Sequence, residues 1–185
     1  MSGGLFSMAN VTSFTRAALA PPILVLLAVE SQFALYGALA IALMAAASDF
    51  ADGYIARRQD ARNEVGRYLD SACDAIFNLA VFLGFLANDW LAPAAFAAIY
   101  FAEIVVPYLG AFAKQLRRPV GIRWSARTKT IVHPLAQIIV IGMAALSGDP
   151  TAPAAVLALA AAVAASVLYV ADHAVFAVRY TFRPA

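Results

Sequence analysis

Charge is scarce in this chain. Of its 185 residues only 13% are Asp, Glu, Lys or Arg, roughly half the usual share for a soluble domain. Apolar residues make up 63% and the mean hydropathy is +0.78. A soluble fold could not hide that much, since even a domain of about 150 residues buries only about 70% of the surface its chain exposes. Cysteine is nearly absent: Cys73 stands alone, which excludes an internal disulfide and any cysteine-built metal site. There are no alternating segments of about ten residues, so a membrane β-barrel is excluded. No internal repeat is present, and the two halves do not mirror each other, which argues against an inverted-repeat transporter. No apolar run precedes Arg16, so Ala18-Leu19-Ala20 is not expected to be a signal-peptide cleavage site.

What remains is long apolar segments broken at short intervals: Phe14 to Val29, Phe33 to Ile55, Gly66 to Leu86, Trp90 to Ala113, Thr130 to Leu146 and Ala152 to Val178. Six spans of about 20 residues would use about 120, so the whole of 1–185 reads as one all-α, six-span membrane domain. The cations sort by loop. Arg16 precedes the first span, and Arg57, Arg58, Arg62 and Arg67 fall between the second and third. Lys114, Arg117, Arg118, Arg123, Arg127 and Lys129 fall between the fourth and fifth, and Arg179 and Arg183 follow the sixth. The opposite loops hold only Glu30, Asp89 and Asp149. The positive-inside rule then places both termini in the cytoplasm, with Trp90, Trp124 and Tyr180 as interface aromatics. The net charge of +2 is spread over these loops, and no nucleic-acid partner is expected.

Chemistry concentrates between residues 49 and 74. Asp49 and Asp52 are i, i+3 at the end of the second span; Asp70 and Asp74 are i, i+4 at the start of the third. Each spacing puts its pair on one helix face. A short basic loop joins the two helices, so they are expected to be antiparallel neighbours whose pairs face each other. Four carboxylates at a membrane border are costly unless neutralised, and oxygen-only ligands suit magnesium, manganese or calcium. Two such ions could clamp a pyrophosphate. Gly53, Ala56 and Gly66 leave room on the same faces for a bulky ligand, and Arg57 adds a fixed cation of the kind phosphate binding wants.

The string Asp49, Asp52, Gly53, Ala56, Arg57, Gly66, Asp70, Asp74 resembles the signature of the CDP-alcohol phosphotransferases, complete in type and spacing. Asn10, Ser13, Arg16 and Pro21 are similar to that family's opening, with Ser13 in place of threonine, and Lys129-Thr130 resembles a pair at the start of its fifth helix. The resemblance implies transfer of a phosphatidyl or similar group from a CDP-linked donor to an acceptor hydroxyl, with release of CMP. It implies Asp49, Asp52 and Asp70 as ligands to one or two Mg2+ or Mn2+ ions, with Asp74 as base and further ligand. Gly53, Ala56, Arg57 and Gly66 would shape the cytidine and phosphate pocket. It also implies a homodimer, which the many small residues permit.

No Ser–His or Cys–His nucleophile arrangement is evident, so direct transfer is expected. CDP-diacylglycerol is the expected donor, since a small six-helix enzyme can admit acyl chains sideways from the bilayer. Arg123, Arg127 and Lys129 suggest an acceptor phosphate, hence glycerol 3-phosphate. Against it, glycerophosphate-using members tend to carry arginines where Ala102 and Gly110 stand here, and inositol-phosphate users one where Phe112 stands. Inositol, inositol phosphate, serine or a lipid acceptor stay open. Cys73 reads as a buried filler; Glu103, His133, Asp172 and His173 read as functional groups or as helix locks. The rival functions are a cation transporter using the aspartates as its ion site, and a non-catalytic scaffold. A transporter would place its carboxylates nearer the bilayer midplane.

Overall fold

The computed structural model describes residues 8–58, 64–115 and 124–181, with side chains over 13–48, 68–111 and 124–175. Among the described residues every element is helical. In order they are α1 (Met8–Ala28), α2 (Gln32–Arg58), α3 (Glu64–Ala87), α4 (Pro93–Tyr100), a π-helical segment (Phe101–Val105), α5 (Val106–Gln115), α6 (Trp124–Ser147) and α7 (Pro153–Thr181). With α4, the π segment and α5 taken as one interrupted rod, these are six helical rods at the places of the six expected segments. The helices run past the apolar segments into the basic stretches: Arg57 and Arg58 end α2, Arg67 lies in the first turn of α3, Lys114 lies in the last turn of α5, and Trp124 to Lys129 form the first turns of α6. Arg and Lys are good helix formers, and Ser125 and Lys129 find partners in Asp172 on α7 and the buried Glu103 of the π segment.

Tyr68–Ala87, Pro93–Ala111, Trp124–Ser147 and Pro153–Val175 are each long and apolar enough to cross a membrane; the apolar parts of the first two helices, Ser13–Ala28 and Gln32–Ser48, are shorter. Phe33, Tyr108, Leu146 and Leu157 are each at least 70% exposed, an outer surface suited to hydrocarbon rather than water. The chain is an integral membrane protein.

Small residues decide how closely the rods approach. On α7, Ala155, Ala158, Ala162 and Ala165 are buried at steps of three and four, and α6, which packs against α7 and α2, buries Ala136, Ala144 and Ala145. On α2, Ala38, Ala42 and Ala45 are likewise buried. Between the rods the bulk is supplied by Ile23, Leu27, Phe82, Phe85, Ile99 and Ile141. α1 packs against both α2 and α3, and α6 packs against both as well. At the bundle end away from the aspartate signature, Asn88 Nδ2 donates to the Leu27 carbonyl at 3.0 Å and Gln32 Nε2 to the Ala145 carbonyl at 2.8 Å. Gly148, at φ +69°, closes α6 in the left-handed conformation glycine allows. Beyond it, Thr151 gives two hydrogen bonds to Asp149, which hold that carboxyl below its ordinary range.

The α1–α3 contact depends on Gly84. A Cβ there would stand 2.6 Å from Leu27 Cδ1 and 3.1 Å from Leu27 Cβ. Gly84→Val should cost about 1–3 kcal/mol by overpacking, seen as a fall of several degrees in the melting temperature in detergent. Gly110, whose Cβ would meet nothing within 4 Å, is the matched control: Gly110→Ala should not lower it.

Candidate active site

Two polar ladders run up otherwise apolar helices. α3 carries Asp70, Asp74 and Asn78 at steps of four; α6 carries Ser125, Lys129, His133 and Gln137 at the same steps. Steps of four keep each ladder on one face. α1 meets the first ladder: Ser13 Oγ donates to Asp70 Oδ1 at 2.8 Å, and the Arg16 guanidinium pairs with Asp74. Higher up, Gln137 Nε2 donates to Asn78 Oδ1 at 3.0 Å, joining the two ladders.

Glu103 is where they converge. Its carboxylate accepts from Lys129 Nζ at 2.7 Å, from His133 Nδ1 at 2.8 Å and from Asn78 Nδ2 at 3.3 Å. His133 Nδ1 must be the donor here, because an ionised carboxylate only accepts. Its Nε2 meets Ser166 Oγ on α7 at 2.9 Å. Glu103 lies in the π segment, and the local cause is Pro107. Proline has no N–H for the Glu103 carbonyl four residues back, and its ring crowds that carbonyl. The helix widens instead, and Val106 N–H bonds the Phe101 carbonyl, five residues back.

Between α1, α2, α3, the π segment and α6 lies a cavity of about 90 Å³. α3 contributes Ser71, Asp74, Phe77 and Asn78; α6 contributes Lys129, Thr130, Pro134 and Gln137. Arg16 and Glu103 complete its polar lining. The α2 wall is Ala42, Ala45 and Ala46. Carried on along the unbroken backbone of α2 by further steps of three and four, that register reaches Asp49, Asp52 and Gly53. The two halves of the aspartate signature thus belong to helices that wall one cavity, and residues 6–177 match the CDP-alcohol phosphatidyltransferase family.

The chain belongs to the CDP-alcohol phosphatidyltransferase family. It is therefore a transferase, and family membership supports movement of a phosphatidyl group from a CDP-linked alcohol. None of the curated proteins matches it significantly.

The residues expected to do this work are placed unevenly. Asp70 and Asp74 stand together, partly exposed, one turn apart on α3. The side chains of Asp49, Asp52, Gly53, Ala56, Arg57 and Gly66 lie outside the described residues, although their backbones belong to α2 and α3. Among the described residues no three His, Cys, Asp or Glu side chains gather as a metal site. Of the three cations considered for an acceptor phosphate, Arg123 lies outside the described residues, Arg127 is exposed and does not line the cavity, and Lys129 lines it but is buried against Glu103.

Cys73 is a buried free thiol, as a filler should be. His133 is fully buried with both ring nitrogens engaged, so it holds helices together. Asp172 accepts from Ser125 Oγ at 2.6 Å across the α6–α7 contact, and His173 Nδ1 donates to the Tyr169 carbonyl at 2.9 Å, one turn back on α7 itself. Polar residues in or beside the cavity that sequence reasoning passed over are Asn78, Gln137, Ser71 and Ser166. The first two were signalled by their position four residues beyond Asp74 and His133 on apolar helices.

Proposed function

We propose that this phosphatidyltransferase moves the phosphatidyl group of CDP-diacylglycerol to the hydroxyl of an alcohol, releasing CMP, at a cytoplasm-facing site formed by the aspartate signature. The observation that carries this is the shared cavity: Asp74 lines it from α3, and the α2 register that lines it continues into Asp49 and Asp52. In this reading the acceptor oxygen forms a bond to the phosphatidyl phosphorus as the bond from that phosphorus to CMP breaks. The proton leaving the acceptor passes to the Asp74 carboxylate, which lines the cavity within reach of a bound alcohol. Arg16 fixes the position of that carboxylate by its ion pair, and Ser13 does the same for Asp70.

The donor set here is all oxygen, which suits a hard divalent cation, magnesium or manganese. Asp49, Asp52 and Asp70 would hold one or two such ions, whose charge would neutralise the pyrophosphate and make CMP a better leaving group. The basic loops that flank the aspartates support a cytoplasmic site, and the alanine-rich helix faces support a homodimer. The rival transporter reading is weaker, because the carboxylates follow an alanine-walled cavity at one end of the bundle. The test is purified protein in nanodiscs with CDP-diacylglycerol, magnesium and a panel of glycerol 3-phosphate, glycerol, inositol and serine. CMP released only when an acceptor is present is the expected result; no CMP with any of them, or release independent of the acceptor, would refute it.

A further inference from the structure

We infer that the cavity beside Asp74 takes an uncharged alcohol as its acceptor, and that Glu103 sets this preference by cancelling the charge of Lys129. The inference rests on the transferase reading above and narrows its substrate. Four charged side chains are among the described cavity lining: Arg16, Asp74, Glu103 and Lys129. They are already matched, Arg16 with Asp74 and Lys129 with Glu103. The remaining polar lining, Ser71, Asn78, Thr130 and Gln137, is neutral.

A phosphate bound here would need a cation with charge to spare. Lys129 keeps N–H capacity beyond its bond to Glu103, but its charge is already balanced by that carboxylate; to give a phosphate its full charge it would have to leave Glu103, which is 5% exposed and packed among apolar helices. Breaking a buried pair strands the remaining charge, which is far costlier than the pair is worth. Left in place, the Glu103 carboxylate would instead repel a phosphate at close range, where water screens little. Asn78 and His133 do not relieve this, since both already donate to the same carboxylate. Arg127 does not relieve it either, being exposed and off the cavity.

A hydroxyl group meets none of these costs. Asn78 and Gln137 offer amide groups, and Ser71 and Thr130 offer hydroxyls that donate or accept. Glu103 is thus a specificity-determining residue that acts through Lys129, while proton removal stays with Asp74.

The test pairs acceptors that differ only by a phosphate: glycerol with glycerol 3-phosphate, and inositol with inositol 1-phosphate. CMP release is measured with CDP-diacylglycerol and magnesium for the wild-type protein and for Glu103→Gln. In whichever pair is used, the wild type should give the higher kcat/KM with the uncharged member. Glu103→Gln should move the ratio toward the phosphorylated member by about tenfold or more, through the acceptor KM and with the donor KM little changed. Should that variant not fold, Glu103→Gln with Lys129→Gln, which removes both charges together, should keep the wild-type preference. A wild type that prefers the phosphorylated member overturns the inference. So does a Glu103→Gln protein, folded by its melting transition, with an unchanged ratio, or a double variant that reverses the preference. Absence of CMP from every acceptor is a separate result: it removes the transferase reading itself, and this inference with it.

Discussion

Asn in place of Asp49, Asp52 or Asp70 should each abolish CMP release, by about a thousandfold or more. The amide keeps the size and one oxygen of the carboxylate but removes its charge. A divalent ion clamped on a pyrophosphate contributes several kcal/mol to the transition state, and about 4 kcal/mol is about a thousandfold in rate. The three variants should still fold. Asp49 and Asp52 lie on the last turns of α2, beyond the apolar stretch Gln32–Ser48, and Asp70 is only partly buried. Asp70 accepts a hydrogen bond from Ser13 that an asparagine oxygen can also accept. Metal titration gives the diagnostic reading: raising magnesium or manganese should restore part of the lost rate in at least the milder variants. Near-normal rates in all three, or normal wild-type rates in excess chelator, would remove the metal from the mechanism.

Asp74→Asn should behave differently. If Asp74 takes the acceptor's proton, its loss should lower kcat by about 10²–10⁴-fold while the KM for the donor stays within a few fold. Its neighbours make a test of structure necessary. Arg16 is 5% exposed and pairs with the partly exposed Asp74, so the variant leaves a buried cation with a weaker partner as well as removing a base. Asp74→Glu separates the two effects: it keeps a carboxylate for Arg16 and a base on a longer arm, and should retain more activity than Asp74→Asn at a similar melting temperature. Equal loss of donor affinity in Asp70→Asn and Asp74→Asn would instead assign both residues to the metal and leave the proton to another group.

The parts of this molecule that were legible in the sequence are those set by local rules. Six apolar segments became six helical rods because bilayer thickness and backbone hydrogen bonding leave little choice. The spacing of Asp70 and Asp74 fixed their shared face, since a helix puts residues four apart in line. What was not legible is pairing between rods. Lys129 and Glu103 are 26 residues apart, and Arg16 and Asp74 are 58 apart; no periodicity connects them. In the sequence Lys129 therefore reads as a cation for an acceptor phosphate, and Glu103 as a functional group or helix lock with no partner named. The expectation that α2 and α3 are direct neighbours is not met among the described residues: they hardly touch, and α1 and α6, which each pack against both, stand between them around the cavity. The π segment escaped for a related reason. Pro107 is visible in the sequence, but whether a helix kinks, breaks or widens before a proline depends on what surrounds it.

Product analysis of a single reaction tests the central claim most directly. Protein in nanodiscs is given CDP-diacylglycerol, magnesium and the acceptor that supports turnover. CMP and the new phosphatidyl lipid are then quantified together by mass spectrometry. Transfer at the aspartate cavity predicts equal amounts of the two, none in chelator and none with Asp70→Asn. CMP accompanied by phosphatidic acid in place of a phosphatidyl alcohol, or lipid product that persists in chelator, would contradict it.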